Sequence, residues 1–165
     1  MEDIKPKVIR VGIADMNYCT GEDSITTLGL GSCVGVVLYD TVLQLCGMVH
    51  VMLPDSTKFR NNSNKAKFAD TGVAELYNGL LQRGAEKYRI KAKIAGGAQM
   101  FAFNSNIEMM RVGESNVLAV KEELSKLNVP IVAQDTGLNY GRTIVFSPSN
   151  NILLVKSVGM DEKEI

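Results

Sequence analysis

Two apolar, β-rich runs, CVGVVLYD at 33–40 and LQLCGMVHVML at 43–53, are separated only by the neighbourhood of Asp40 and Thr41. This is hairpin spacing, and it predicts a pair of adjacent antiparallel strands. The pairing carries a geometric consequence. With the turn centred between Thr41 and Val42, partners sum to 83, so Cys33 faces His50, the one histidine of the chain. Direct cross-strand partners have Cβ atoms about 4.5–5.5 Å apart. A register slipped by two keeps the pair diagonal on one face, whereas a slip by one puts the residues on opposite faces.

Around this hairpin the pattern alternates between strand and helix periods. Val8 to Ala14 reads as a first strand, and a polar stretch around Asn17 to Asp23 separates it from the Gly-rich segment TTLGLGSC. After Pro54, DSTKFRNNSNKAK has no period and reads as an exposed loop able to cover a site. From Phe68, Val73, Leu76, Tyr77, Leu80 and Leu81 recur at helical spacing up to Gly84. Lys91 to Ala95 forms a short strand that ends at Gly96-Gly97. A second helix is expected from Glu114 to Leu127, with Val117, Val120, Leu124 and Leu127 on one face and Pro130 beyond its end. PIVAQD and the pair RTIVFS and NILLVKS supply further strands. The expectation is an α/β fold, one domain over 1–165, in which antiparallel strands predominate; 165 residues suffice for one buried core.

Lys plus Arg equals Asp plus Glu at 18 each, so no net field draws the chain to nucleic acid or an anionic membrane. No apolar run approaches the roughly 20 residues needed to span a bilayer, and the N-terminus lacks a signal-peptide pattern. Cytoplasmic residence is expected. The three cysteines, Cys19, Cys33 and Cys46, have no framework spacing and read as free thiols.

A thiol beside an imidazole has a chemical use. The imidazole takes the thiol's proton and later hands it to a leaving amine. Glycines before Cys33 let backbone N–H groups face an oxyanion, and Thr27, Ser32, Thr26 or Ser24 offers a hydroxyl to orient His50. The competing reading is a packed cysteine, because free cysteines are among the most buried residues; Cys19 and Cys46 are read that way. GLGSCVG matches neither dinucleotide nor phosphate-loop patterns, which argues against a nucleotide. Cys46 and His50 lie four residues apart, about 13 Å along a strand, too far to share one zinc ion. No cofactor and no metal are expected. Gln99, and Asp135 with Arg142, are candidates to line a pocket, set against a reading as turns and surface ion pairs.

TLGLGSCVGVVLYD, GMVHVMLP, AKFADTGVAELYNGLL, KIAGGAQMF and GRTIVF, in this order, resemble the CheD family, the chemoreceptor glutamine deamidases of bacterial and archaeal chemotaxis. The resemblance runs from about Val8 to Lys156. It implies an α/β sandwich and a papain-like arrangement in which Cys33 is the nucleophile, His50 the general acid/base and Thr27 the orienting residue. It also implies that Gly31, Ser32, Gly96 and Gly97 bind substrate, with Phe101 near the site. The implied partners are the cytoplasmic domain of a methyl-accepting chemoreceptor and a CheC-type phosphatase. A different function is also consistent with the resemblance: a non-catalytic adaptor that binds receptors and stimulates that phosphatase.

Overall fold

The paired runs at 34–40 and 45–51 are buried at every position, so both faces of the sheet they form must be covered. The computed structural model, which describes residues 5–100 and 111–165, shows how. In chain order the elements are β1 (Val8–Arg10), β2 (Met16–Thr20), β3 (Ser24–Leu30), β4 (Val34–Asp40), β5 (Leu45–Val51), α1 (Ala69–Gln82) and β6 (Ile90–Gly96). They continue with α2 (Val112–Lys126), β7 (Ile131–Thr136), β8 (Arg142–Ser147), β9 (Ile152–Lys156) and β10 (Lys163–Glu164). Two five-stranded sheets result, one in the order β1-β3-β8-β9-β10 and the other β2-β5-β4-β6-β7. All pairings are antiparallel except β1 with β3 and β6 with β7.

Strand alternation divides the core in two. Val34, Val36 and Leu38 of β4 join Val49 and Val51 of β5 against Val73, Leu76 and Leu80 of α1 and Val120 and Leu124 of α2. Val37, Tyr39, Cys46 and Met48 point the other way, into Ile25, Leu30, Ile144 and Phe146 of the first sheet. The β4–β5 sheet is thus the middle layer, between the helices and a second sheet. This is the expected α/β sandwich of mostly antiparallel strands.

The hairpin register differs from the expectation by two. Gly35 pairs with His50, and the sum of partners is 85 rather than 83. The cause lies in Asp40, whose buried carboxylate accepts the N–H of Val42 and of Leu43 and thereby closes a four-residue turn, 41–44. Burial alone would raise the pKa of that carboxyl; the Arg89 guanidinium and the N–H groups of Leu43, Glu86 and Val42 hold it at about 2.

Other boundaries shift as well. The polar stretch after Ala14 contains β2, an edge strand that turns Cys19 inward and leaves Asn17 and Thr20 exposed. The first half of the Gly-rich segment is β3, with a register shift between Thr27 and Leu30 where Gly29 has φ +65°. The stretch after Pro54 is mostly exposed but includes two short 3-10 turns, each capped by a side chain, Asp55 and Asn64. Both helices begin and end within two residues of the expected limits, and Gly84, at φ +100°, follows α1 as its stop.

Candidate active site

His50 sits on the face of β5 that looks toward the first sheet, and Thr27 of β3 looks back at it. The Thr27 Oγ1 lies 2.7 Å from His50 Nδ1. The same hydroxyl donates to the Val11 carbonyl oxygen at 2.7 Å. A hydroxyl has one proton, and a carbonyl can only accept. Thr27 therefore accepts from Nδ1–H, so the neutral imidazole carries its proton on Nδ1 and its lone pair on Nε2. Both residues are buried, and Nε2 has no hydrogen-bond partner among the described residues. Burial pushes the His50 pKa below its ordinary 6.5, which keeps the ring neutral at pH 7.

Gly35, directly across from His50, makes this meeting possible. A Cβ added there would stand 2.7 Å from Ile144 Cδ1 and 3.6 Å from Thr27 Cγ2, so a side chain would hold the two sheets apart at the imidazole.

Cys33 immediately precedes β4. It is half-buried and packs against the core between the sheets, on the face that carries Gly35. In the observed register it is diagonal to His50 and shares that face. Burial pushes the thiol pKa up from 9.0, and the residue's own backbone N–H acts weakly in the opposite direction. The resting pair is therefore a neutral thiol and a neutral imidazole.

Backbone bonds lock the Cys33 turn in place. Gly97 donates its N–H to the Cys33 carbonyl at 2.8 Å, and Ala98 donates to that of Gly31 at 2.9 Å. Gly96, at φ +112°, passes so near the turn that an added Cβ would lie 2.3 Å from the Cys33 oxygen. At Gly31 an added Cβ would stand 3.3 Å from Met100 Cγ. The Ser32 carbonyl accepts from Asn116 Nδ2 of α2 at 2.9 Å. All four glycine and serine positions singled out in the sequence thus lie at the nucleophile turn or against it, while Phe101 falls outside the described residues.

The remaining candidates divide. Thr26 spends its hydroxyl on the Ile144 carbonyl, and half-buried Ser24 opens β3. Cys46 shares the face of His50, yet its thiol pairs with Cys19, its direct cross-strand partner; that bond lowers the Cys19 pKa and raises that of Cys46. Gln99 lines, with Gly97, Leu118, Thr136 and Leu138, a depression of about 250 Å³ beside the Cys33 turn. Arg142 is buried, pairs with Asp135 at 3.2 Å and donates to the Gly137 carbonyl at 3.0 Å, so it braces the loop after β7. Gly35, the Val11 carbonyl and Asn116 escaped sequence reasoning. Gly35 and Asn116 left a signal: a glycine inside an otherwise apolar strand, and an amide four residues before Val120 on a buried helical stripe.

Residues 52–157 match the family model described as CheD chemotactic sensory transduction. A Lachnoclostridium phytofermentans protein named probable chemoreceptor glutamine deamidase CheD is 65% identical over 96% of this chain and 99% of its own. The chain belongs to the CheD family. A Bacillus subtilis CheD named chemoreceptor glutamine deamidase is 48% identical and is matched over 100% of both chains. The Halalkalibacterium halodurans CheD of the same name is 52% identical over 96% of this chain and 98% of its own. Thr27, Cys33 and His50 precede the segment matched by the CheD family model but fall within the full-length match to the Bacillus protein.

Proposed function

We propose that this CheD-family protein is a chemoreceptor glutamine deamidase, working as one domain over residues 1–165, with Cys33 as nucleophile, His50 as acid/base and Thr27 as the group that sets the imidazole. The observation that supports it most is the hydrogen-bond chain Val11 carbonyl, Thr27 hydroxyl, His50 Nδ1, which leaves Nε2 as a free base on the face that bears Cys33.

Because burial disfavours both charged forms, proton transfer accompanies attack. As Sγ bonds to the glutamine carbonyl carbon, its proton passes to Nε2. The oxyanion is met by backbone N–H groups of the 31–33 turn, the Cys33 N–H among them. Nε2–H then protonates the amide nitrogen, the C–N bond breaks, and ammonia leaves a thioester. Water adds with its proton going to Nε2. The C–S bond breaks, glutamate is released, and Nε2 returns a proton to sulfur. Gly96 and Gly97 hold the Cys33 carbonyl from behind, and the depression beside Gly97 receives residues that flank the glutamine.

The substrate is the cytoplasmic domain of a methyl-accepting chemoreceptor, and conversion of glutamine to glutamate there creates a carboxylate that can be methylated. Cytoplasmic residence follows from that substrate; among the described residues no helix is long and apolar enough to cross a membrane. Family resemblance supports a CheC-type phosphatase as second partner. The test is ammonia release from a purified receptor cytoplasmic domain, with mass spectrometry locating each new glutamate. Stoichiometric release is expected. Receptor binding without release would leave the adaptor function.

Thr27→Val keeps the volume but removes the acceptor for Nδ1–H, so the imidazole can take the other tautomer. The rate of ammonia release is expected to fall at least about tenfold, since a wrong tautomer disables a base that is otherwise in place. Thr27→Ser keeps the hydroxyl and is expected to stay within a fewfold of wild type. Nitrogen chemical shifts of the single imidazole report the tautomer directly.

A further inference from the structure

The β4–β5 ladder stops one step short of the nucleophile. Its last pair is Val34 with Val51, so Cys33 and Met52, next in register, have no pairing of their own. Asn116 takes over at that point. Its Nδ2 donates at 2.9 Å to the Ser32 carbonyl and at 2.9 Å to the Met52 carbonyl, and so ties the residue before Cys33 to the residue two after His50. The side chain is fully buried, and its Oδ1 has no partner among the described residues. Both amide hydrogens are thus spent on main-chain carbonyls that flank Cys33 and follow His50. The Gly97 and Ala98 N–H groups anchor this turn on the β6 side alone, and a second tie, to the residue that follows β5, removes the freedom to pivot about β4.

We infer that Asn116 is a positioning residue for the thiol–imidazole pair: its amide extends the hairpin by one rung and fixes how far Cys33 stands from His50. The inference rests on the triad reading proposed above. A displacement of about 1 Å can cost on the order of a hundredfold in a reaction between held groups.

The test measures the rate at which iodoacetamide alkylates Cys33 between pH 5 and 10 in the full-length protein, with the modified cysteine located by mass spectrometry. This readout needs no receptor. Asn116→Leu removes both donors without burying a charge, and Asn116→Ser, whose shorter hydroxyl reaches one carbonyl at most, stands in if the first variant does not fold. Either is expected to slow alkylation near neutrality about tenfold and to move the pH profile toward that of His50→Ala. In the His50→Ala background the second substitution is expected to add nothing, because there is no base left to align with. A profile that superimposes on wild type, with only a lower melting temperature, would overturn the inference, as would losses that multiply in the double variant. If His50→Ala itself leaves alkylation unchanged, the triad reading fails and this inference with it; if only the Asn116 variants are silent, the triad stands and the positioning role does not.

Discussion

Cys33→Ala is expected to release ammonia from a receptor domain at least about a thousandfold more slowly than wild type, while still binding the receptor. Removal of the nucleophile from a site of this kind eliminates the covalent path entirely, and only oriented binding and the oxyanion donors remain, which by themselves contribute modestly. The fold should tolerate the change. Cys33 is half-buried at a turn whose carbonyl is held by Gly97 N–H, and that backbone bond does not depend on the side chain. Thermal unfolding of the variant is therefore expected to stay within about 1 kcal/mol of wild type. Cys33→Ser should do little better than alanine, because a neutral imidazole oriented by a threonine rather than a carboxylate is a weak base toward a hydroxyl. Ammonia release by Cys33→Ala at even a tenth of the wild-type rate would remove Cys33 from the mechanism.

Gly96→Ala is expected to lower stability by roughly 3 kcal/mol, combining backbone strain of about 1–3 kcal/mol with the loss of a buried hydrogen bond worth about 1. The glycine sits at φ +112°, and a Cβ there would meet the Cys33 oxygen at 2.3 Å and Val34 Cα at 3.2 Å. Both obstacles are backbone, so no rotamer change relieves them. The end of β6 must swing away from β4, which pulls Gly97 N–H off the Cys33 carbonyl and frees the nucleophile turn. For a domain of this size the melting temperature should fall by about 6–12 °C, with activity lost in parallel. Gly137→Ala supplies the control. Gly137 also has positive φ, +79°, but nothing lies within 4 Å of its missing Cβ, so only strain of about 1 kcal/mol is expected. Equal melting temperatures for the two variants would show that the close approach to Cys33 carries no weight.

Much of the architecture follows from period and punctuation. Residues 73, 76, 77, 80 and 81, with Gly84 behind them, specify α1 because a 3.6-residue repeat gathers them into one stripe for the middle sheet. The paired runs around Asp40 specify a hairpin, and strand alternation alone places Cys33 and His50 on a common face in every register of the right parity. Those are local properties, legible in the sequence. The step from one allowed register to the other depended on the Asp40 carboxylate, which caps the turn while Arg89 and the Glu86 N–H, from the segment that follows α1 in the chain, bind it as well. Thr27 illustrates the same limit. Spacing left four hydroxyls open, and a family resemblance favoured one; what brings that hydroxyl to Nδ1 is the stacking of two sheets, together with a carbonyl from Val11 and room opened at Gly35. Asn116 reaches the site across 84 residues of chain from Ser32. Periodicity thus determined both helices and the central hairpin and which face their residues take, because those choices depend on neighbours a few residues away, whereas β2, read as a polar interruption, is a strand only because it pairs with β5. Tertiary structure decided which atoms meet at the thiol, because hydrogen bonds between separate elements have no period in the sequence that could announce them.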